Sequence, residues 1–511
     1  MTRSCDPQDF GFESEPSVAC GFLLAKYEDK MFRLWFLIAL LVFGQALSAP
    51  GAVRAENDLS KPNIIHIMLD DWGYYEWSGM GHPILQTPNI DRMAAESMRF
   101  TQMLAGGSVC ASTRCTLMLG QHTGHVPRRN NRPQVPLHPD DVTIAEMLKE
   151  VGYTTGGFGK WGLGNRGTTG VPEKQGFDLF FGYYHQRHAH TYFPNYLLRN
   201  SVKVPLVGNT GDYHQGKTFS HELIYRESIK FIRANKDRPF YAYLCWTPPH
   251  GQWGIPAEDP AWLKYKDKKW DHKNRSGKYD AQIYAAMIEM ADRQIGEIFA
   301  LLKQLNIDDE TIVFLSGDNG GQPCFHNAKH PDGFFRPNVD PKTGQRFRGG
   351  KGEFHEGGLR IPFLVRWPGK IKSNTVTKYL GYFPDMMPTL AELAGGTHPE
   401  RCDGISIVPT LLGEDKAGRR QPQHEYLYWE DRNSFAVRFG DWKAVRFIKG
   451  GKPGPWELYD LDKDIEEVNN IAREHPRLVE KIDTYASATH QPVRPGRVLD
   501  ASLVFQDHRT K

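Results

Sequence analysis

The sequence predicts an α/β fold in which a large, mostly parallel central sheet is flanked by helices and followed by a smaller C-terminal α+β domain. Apolar segments such as residues 64–69 and 311–316 are typical of strands that are buried on both faces of a parallel sheet. Amphipathic helical patterns alternate with these strands, for example over residues 142–151 and 284–307. This alternation indicates helices that connect parallel strands.

The sequence pattern changes near residue 399. Residues 400–420 are rich in glycine, proline and charge, and short alternating segments follow, namely "YLYWED", "SFAVRFGDWKAVRF" and "WELYDLDKDIEEVNNIA". The segment "HPRLVEKIDTYAS" predicts a last helix. We therefore predict a main domain over residues 61–398 and a C-terminal α+β subdomain with a tail over residues 399–511.

The N-terminal residues 1–55 are predicted to be a dispensable extension and a signal peptide. Arg33 precedes an apolar run, Leu34 to Phe43, and small residues follow at Ala46 and Ser48. The run is shorter than the roughly 20 residues of a membrane span, and no second apolar segment approaches that length. We therefore expect translation to start at Met31 and the product to be exported, to the periplasm or medium, or to the lysosome or extracellular space of a eukaryote, without a stable membrane span.

Charge and cysteine content exclude several classes of function. The 511 residues carry a net charge of only +3, and no block of like charges occurs, so nucleic-acid binding gains no support. The predicted mature chain has no CxxC pair and no zinc-type spacing, and its odd number of cysteines leaves at least one unpaired or chemically used. These cysteines are Cys110, Cys115, Cys245, Cys324 and Cys402.

Two predicted strands end in hard oxygen ligands. Asp70 and Asp71 follow the first strand, and Asp318 and Asn319 follow the strand that begins at residue 311. Either pair alone is more typical of a helix cap or a turn. Because the carboxyl ends of parallel strands meet at one edge, the two pairs together predict a site for Ca2+ or Mg2+.

Basic residues and cysteines supply further candidates. Lys160 and Lys351 lie in glycine-rich segments that let an anion approach closely, and Gly352 after Lys351 excludes a P-loop, which needs Ser or Thr there. Arg114 could pin the following turn or pair with a carboxylate. From the residues alone, Cys110 could be a nucleophile, a metal ligand, half of a disulfide or ordinary core.

Histidines occur after a predicted strand and in one cluster. His250 ends the segment "PFYAYLCWTPPH", and His185, His188 and His190 lie within "YHQRHAHTYFP". A lone histidine is more often structural, but hydrolysis needs a group that can protonate a leaving oxygen. The cluster could also bind a transition metal, although its spacing matches no standard site.

Six segments in order resemble the type I sulfatases of the alkaline phosphatase superfamily. The resemblance implies an alkaline phosphatase-like fold and a sulfuric ester hydrolase, similar to arylsulfatases and N-acetylgalactosamine-6-sulfatases, that acts on a sulfated carbohydrate or an aryl sulfate. The segments are "NIIHIMLDDWGY", "TPNIDRMAAESMRFTQMLAGGSVCASTR", "GYTTGGFGKWGLG", "PFYAYLCWTPPH", "IVFLSGDNGG" and "KGEFHEGGLRIPFLVRWPG".

The same resemblance implies a role for each candidate residue. A maturation enzyme would oxidise Cys110 to formylglycine, whose hydrated aldehyde attacks sulfur, and Arg114 would stabilise the modified residue. Lys160 and Lys351 would hold sulfate oxygens, and His250 would serve the leaving alcohol. The divalent cation, usually Ca2+ with Mg2+ possible, would be held by Asp70, Asp71, Asp318 and Asn319.

Two positions depart from the family pattern. Ser112 stands where the motif has Pro or Ala, which bears on recognition by the maturation enzyme. Gly162 stands where the family's "GKWHLG" has a histidine. We expect His188 or His190 to replace that histidine, and we expect Trp246 and Trp253 near a sugar pocket.

Two alternatives remain open at the level of sequence. One is a phosphodiesterase or phosphonate monoester hydrolase of the same superfamily, because phosphoryl and sulfuryl centres share their geometry. The other is a catalytically silent, carbohydrate-binding relative in which Cys110 stays a thiol.

Overall fold

The computed structural model of the protein describes residues 61–131, 135–212, 214–272 and 279–494. The predicted signal peptide and the start at Met31 lie outside these residues, as does the end of the C-terminal tail. The strands, in chain order, are β1 (Asn63–Leu69), β2 (Met98–Leu104), β3 (Thr154–Lys160), β4 (Leu179–Tyr183), β5 (Tyr196–Arg199), β6 (Val202–Pro205), β7 (Phe240–Trp246), β8 (Thr311–Gly317), β9 (Phe363–Arg366), β10 (Thr375–Tyr382), β11 (Leu427–Glu430), β12 (Ser434–Phe439), β13 (Trp442–Lys449) and β14 (Lys452–Asp460).

Ten of these strands form one large sheet in the order β10-β2-β9-β8-β1-β7-β3-β4-β5-β6. The five central strands, from β8 to β4, are parallel. Antiparallel pairing occurs where β9 lies between β2 and β8 and where β5 and β6 extend the other side. The prediction of a large, mostly parallel sheet is confirmed, and its carboxyl edge is formed by the central strands.

Helices cover both faces of this sheet. Successive side chains of β1 alternate between two apolar cores, with Ile64 and Met68 on one side and Ile65 and Ile67 on the other. The helices are α1 (Pro88–Ala95), α2 (Cys110–Leu119), α3 (Ile144–Glu150), α4 (Ser220–Ala234), α5 (Pro260–Tyr265), α6 (Asp280–Gln304), α7 (Glu356–Leu359), α8 (Met386–Leu393), α9 (Val408–Leu412), α10 (Glu414–Ala417) and α11 (Pro476–Thr489), with short 3-10 turns at Ser78–Met80, Pro172–Lys174, His188–His190 and Phe383–Asp385.

Local signals set the ends of the helices that matter for the site. Thr143 caps α3 in a capping box with Glu146, one residue inside the predicted start. Helix α2 has no side-chain cap at Val109, and it ends at Gly120, whose φ of 65° is the left-handed conformation that favours glycine. The amino terminus of α2 is therefore free to receive a partner from elsewhere in the chain.

The C-terminal segment forms a separate antiparallel sheet in the order β11-β12-β13-β14, with α11 packed on it. The indole nitrogen of Trp429 on β11 donates to the Ala105 carbonyl at 2.9 Å, and Leu427 packs with Leu104 and Leu359 of the large-sheet region. This confirms the predicted α+β character of the segment, whereas the domain boundary at residue 399 stays a prediction.

A helix that crosses a bilayer must be both long and apolar. None of the helices in the described part of the chain combines the two properties.

Candidate active site

Polar residues gather at the carboxyl edge of the large sheet. Asp70 and Asp71 follow β1, Asp318 and Asn319 follow β8, and Lys160 is the last residue of β3. All five are buried. Because β8, β1, β7 and β3 are parallel neighbours, their ends bring together side chains that lie up to about 250 residues apart in sequence.

Hydrogen bonds from backbone and side-chain groups connect the pair after β1 with the pair after β8. The Asp71 amide donates to Asp318 Oδ1 at 3.0 Å, and Asn319 Nδ2 donates to Asp71 Oδ1 at 2.9 Å. Asp71 has a φ of 65°, a left-handed conformation that aspartate tolerates better than most residues. The chain thus turns sharply at the end of β1 so that both carboxylates face the same site.

Cys110 is the first residue of α2, and its side chain faces these carboxylates. The thiol donates to Asp70 Oδ1 at an S···O distance of 3.2 Å. Burial, reinforced by the Asp70 charge, raises the pKa of the Cys110 thiol well above its usual range. An unmodified Cys110 is therefore a protonated thiol at neutral pH, which is a poor nucleophile.

Three cations balance the three carboxylates. Lys160 Nζ lies 2.6 Å from Asp70 Oδ2, Lys351 Nζ lies 2.6 Å from Asp71 Oδ2, and Arg114 Nη2 lies 3.0 Å from Asp318 Oδ2. Arg114 Nη1 also donates to the Lys160 carbonyl at 2.8 Å. The guanidinium therefore fixes the end of β3 as well as the end of β8.

The pKa values of Asp70 and Asp318 are shifted in opposite directions. Burial alone would raise the pKa of Asp70, but Lys160 and the other nearby cations hold it well below its usual range. Burial and the neighbouring Asp70 charge instead raise the pKa of Asp318 to about 7. Of these two carboxyl groups, Asp318 is therefore the one whose charged form is disfavoured, mainly by its burial.

The residues fit a hard divalent cation. Asn319 Oδ1 is buried and has no hydrogen-bond partner among the described residues, and Asp70, Asp71 and Asp318 are its acidic neighbours. An all-oxygen donor set of this kind suits Ca2+ or Mg2+. Ligand atoms of Asp70, Asp71, Cys110 and His250 also lie within 4.8 Å of one another.

His250 borders the same site. Its Nε2 lies 3.5 Å from Asp71 Oδ2, and its Nδ1 is buried without a hydrogen-bond partner in the described part of the chain. Burial, followed by the charge of Lys351, lowers the pKa of His250 well below its usual value. The imidazole is therefore neutral at pH 7 in this structure.

The structure separates the two histidines that we expected near Gly162. His190 stacks on His250 with ring centroids 4.2 Å apart. His188 turns the other way, because its Nε2 is bonded to the Tyr196 carbonyl at 3.0 Å and its ring contacts Tyr183. His190 thus borders the site, while a catalytic role for either residue stays a prediction.

Two further residues near the site were not predicted from the sequence. Asn131 Oδ1 accepts from the Ala111 amide at 3.1 Å and so caps the amino terminus of α2 from a distant loop. The Gln186 amide occupies the space beside Gly162, only 2.2 Å from where a Cβ would be. No local motif signals either contact.

The two tryptophans predicted near a sugar pocket are core residues, and their closeness to a sugar stays a prediction. Trp246 and Trp253 are both buried, and the Trp253 indole nitrogen donates to the Pro249 carbonyl at 2.9 Å. Their rings pack in apolar cores, so neither presents an open face to a sugar.

None of the five cysteines in the described residues takes part in a disulfide, and four of them are buried. Cys115 lies on α2 within an apolar core, as expected of a structural residue. Disulfide formation therefore does not account for Cys110.

Comparison with known proteins places this site in a family. Residues 62–396 match the family model described as "Sulfatase", and residues 350–485 match that described as "N-sulphoglucosamine sulphohydrolase, C-terminal". The chain is 28% identical to arylsulfatase A of Bos taurus over 530 residues, which cover 93% of each chain. It is also 28% identical to N-acetylgalactosamine-6-O-sulfatase of Bacteroides thetaiotaomicron over 500 residues, covering 83% of this chain and 92% of that one.

Solved structures share the fold. The crystal structure of Ps i-CgsB in complex with k-i-k-neocarrahexaose has a TM-score of 0.70 and 24% identity, covering 88% of this chain and 97% of that chain. Phosphonate monoester hydrolase of Agrobacterium radiobacter has a TM-score of 0.60 and 19% identity, covering 84% and 95%. The predicted alkaline phosphatase-like fold is thus confirmed. With the family model matched over the whole large-sheet region that carries the site, the chain belongs to the sulfatase family and is a sulfuric ester hydrolase.

Proposed function

We propose that the protein removes sulfate from a sulfated carbohydrate through a formylglycine made from Cys110, with a divalent cation, Ca2+ or Mg2+, held beside it. One observation carries this proposal. At one edge of the sheet in a sulfatase chain, Cys110 Sγ lies 3.2 Å from Asp70 Oδ1, and Lys160 Nζ lies 2.6 Å from Asp70 Oδ2. The raised pKa of the thiol supports it, because Cys110 itself is unsuited to attack.

The modified residue and the cation would each have one task in this proposal. Formylglycine supplies a hydrated aldehyde hydroxyl as the nucleophile toward sulfur. A cation held by Asp70, Asp71, Asp318 and Asn319 supplies positive charge where the sulfate oxygens gather negative charge.

The chain's own residues bind and orient the sulfate ester. The ammonium group of Lys160 is buried and that of Lys351 is partly exposed, and they contact Asp70 and Asp71, respectively. Both can turn to sulfate oxygens. Such preorganised cations in a water-poor site stabilise a transition state more than they would in water. Arg114 holds the ends of β3 and β8 and thereby fixes the geometry of both.

His250 is the proposed proton carrier for the leaving alcohol, through Nε2, which faces the carboxylates. It is neutral in this structure because burial and Lys351 lower its pKa. An anionic sulfate ester beside the ring raises that pKa and favours a protonated imidazole when substrate is bound. His190, stacked on it at 4.2 Å, limits the orientations of the ring.

The proposal that the substrate is a carbohydrate is supported by the names of similar proteins. One is named N-acetylgalactosamine-6-O-sulfatase, and a similar structure was solved with a neocarrahexaose. We also propose that the N-terminal residues direct export, which a cleavage product lacking residues 1–55 in the periplasm or medium would support.

The test is the chemical state of Cys110 together with turnover. The full chain is co-expressed with a formylglycine-generating enzyme, and the Cys110 peptide is analysed by mass spectrometry. We expect an aldehyde or its hydrate, and activity on aryl sulfate and sulfated sugars that exceeds activity on phosphate monoesters and diesters.

Matched cysteine variants sharpen this test. Cys110→Ala removes both the modification and turnover, whereas Cys115→Ala on the same helix retains the modification. Unmodified Cys110 in every preparation supports the silent, carbohydrate-binding alternative. A preference for phosphodiesters supports the phosphodiesterase or phosphonate monoester hydrolase alternative, and either result refutes the proposal.

A further inference from the structure

Glu467, in the segment that follows β14, is bonded to both ends of one loop of the large-sheet region. Its carboxylate Oε2 accepts from the Glu356 amide at 2.7 Å, and its backbone carbonyl accepts from Arg348 Nη1 at 2.7 Å. We call residues 348–357 the lysine loop, because they include Lys351. The C-terminal segment of the chain thus contacts the lysine loop at its beginning and near its end.

The middle of the lysine loop reaches the reaction centre. Lys351 Nζ lies 2.6 Å from Asp71 Oδ2. The Gly352 amide donates at 2.8 Å to the carbonyl of Ser108, in the segment that leads into α2. The position of the ammonium group therefore depends on a loop whose middle contacts the site and whose ends contact Glu467.

The backbone and side chain of Glu467 both depart from what favours folding. Its φ of 52° lies in the left-handed region, which is unfavourable for a residue with a Cβ. The side chain is fully buried, and Oε1 lies 3.7 Å from Lys443 Nζ without a hydrogen-bond partner among the described residues. Backbone strain of this kind persists where the surrounding contacts enforce it, often beside functional sites. The contacts that Glu467 makes here are those to the lysine loop.

We propose that Glu467 is a positioning residue for sulfate hydrolysis, which acts through Lys351 by holding both ends of the lysine loop. Without the carboxylate, the buried Glu356 amide loses its acceptor, and that end of the loop has to move to find another. A displacement of about 1 Å at the ammonium group is enough to weaken catalysis. The inference rests on the proposed role of Lys351 in binding sulfate.

Glu467→Gly tests the carboxylate alone, because glycine adopts the same φ and keeps the carbonyl that Arg348 contacts. We expect kcat/KM of the matured, full-length protein for 4-nitrophenyl sulfate to fall about 10- to 100-fold. Glu467→Gln keeps an oxygen for the Glu356 amide and should retain most of the activity. Val468→Gly, which removes an exposed side chain from the same segment, controls for the flexibility of glycine.

Combination with Lys351→Met separates positioning from general stability. Because Glu467 acts through Lys351, we expect Glu467→Gly to lower kcat/KM by less than about 2-fold in the Lys351→Met background. Arg348→Met, which releases the other end of the lysine loop, should behave in the same way and tests the inference even where Glu467→Gly does not fold. A role in stability alone would give the same fold loss in both backgrounds.

Hydrogen exchange followed by mass spectrometry provides a readout that needs no turnover. In the full-length protein, amides of the lysine loop should exchange faster in Glu467→Gly than in wild type, and Val468→Gly should leave them unchanged. This difference reports on the loop whether or not Cys110 has been converted to formylglycine.

Three results overturn the inference: a kcat/KM of Glu467→Gly equal to that of Val468→Gly, the same fold loss with and without Lys351→Met, or unchanged exchange in the lysine loop. Failure of the proposed function looks different. Lys351→Met would then keep the activity of wild type, or the matured protein would hydrolyse no sulfate ester, while hydrogen exchange would still show whether Glu467 holds the loop.

Discussion

Two clusters of charge lie on either side of one short loop and differ in how their hydrogen-bonding groups are satisfied. Lys351 belongs to the catalytic cluster, which we define as Asp70, Asp71, Asp318, Asn319, Arg114, Lys160 and Lys351. Glu356, five residues later, belongs to the structural cluster, which we define as Glu356, Arg360, Arg438, Lys443 and Glu467.

In the structural cluster the partners converge on a single carboxylate. Glu356 Oε1 accepts from Lys443 at 3.0 Å and from Arg438 at 3.1 Å, and Oε2 accepts from Arg360 Nε at 2.8 Å. Burial alone would raise the pKa of Glu356, but Lys443, Arg438 and Arg360 hold it well below its usual range. This carboxylate joins α7 to β12 and β13 and has no capacity left for a ligand. The structural cluster has one unmatched atom, Glu467 Oε1, which lies 3.7 Å from Lys443 Nζ without a hydrogen-bond partner among the described residues.

In the catalytic cluster the unmatched atoms belong to Asn319 and Arg114, which adjoin Asp318. Asn319 Oδ1 and Arg114 Nε have no hydrogen-bond partner in the described part of the chain, and Asp318 has a pKa raised to about 7. Incomplete matching is unfavourable for folding alone, and a cation and an anion that bind there would relieve it. The comparison teaches that a buried carboxylate does not by itself indicate a ligand site, since the chain's own side chains occupy both oxygens of Glu356.

Replacing one lysine in each cluster should give the largest contrast. We expect Lys351→Met to lower kcat/KM for sulfate esters by about 10²- to 10³-fold, the usual loss when one transition-state stabilising group is removed. Lys443→Met should leave most activity per folded molecule. Steady-state kinetics of both matured variants, with the folded fraction determined by circular dichroism, measures the contrast, and equal losses of activity would contradict it.

Neutralising Glu356 should have the largest effect on stability. Glu356→Gln leaves Arg438 and Lys443 without their carboxylate, and breaking a buried pair in this way typically lowers the free energy of unfolding by roughly 3–5 kcal/mol. Because the folded-state pKa is depressed, the contribution of Glu356 is present above the ordinary glutamate pKa of 4.5 and is lost progressively as pH falls from there toward the folded-state pKa. The difference between the two proteins in urea unfolding should therefore shrink below about pH 4.5.

A matched control for this experiment is Glu353→Gln, since the Glu353 side chain is 52% exposed. We expect it to change stability by less than about 0.5 kcal/mol. A difference between wild type and Glu356→Gln that is independent of pH would show that Glu356 does not hold the structural cluster through its charge.

Divalent cations should stabilise only the catalytic cluster. After treatment with EDTA, Ca2+ at 100 times its Kd should raise the free energy of unfolding by about 2.7 kcal/mol. Asp318→Asn should lose most of this increase, while Glu356→Gln should keep it. Thermal unfolding at a series of Ca2+ concentrations measures the effect, and an equal increase in both variants would place the cation elsewhere.

The fold and the main site follow from the sequence because both depend on regular features. Parallel strands end at a common edge, so the acidic pairs after β1 and β8 could be expected to meet, and the segment around Cys110 carries a family motif. The structural cluster could not be predicted, because Glu356 contacts residues 82 and 87 positions away that no local pattern connects. The cap from Asn131 and the position of Gln186 depend likewise on loop conformation.

The smallest effect is expected from the histidines beside the catalytic cluster. Alanine at His190 removes the ring stacked on His250 and lets water approach it, so burial lowers the pKa of His250 less. We expect kcat/KM to fall by roughly 10-fold, below the range typical of a direct acid or base. Because a proton donor loses activity above its pKa, we also expect the pKa of the alkaline limb of the kcat/KM profile to rise. His188→Ala should instead lower the melting temperature, because it removes a buried ring and the bond to the Tyr196 carbonyl. If the double variant kept full turnover and an unshifted pH profile, neither histidine would compensate for Gly162, and the unmatched His250 Nδ1 would have to be satisfied by the substrate itself.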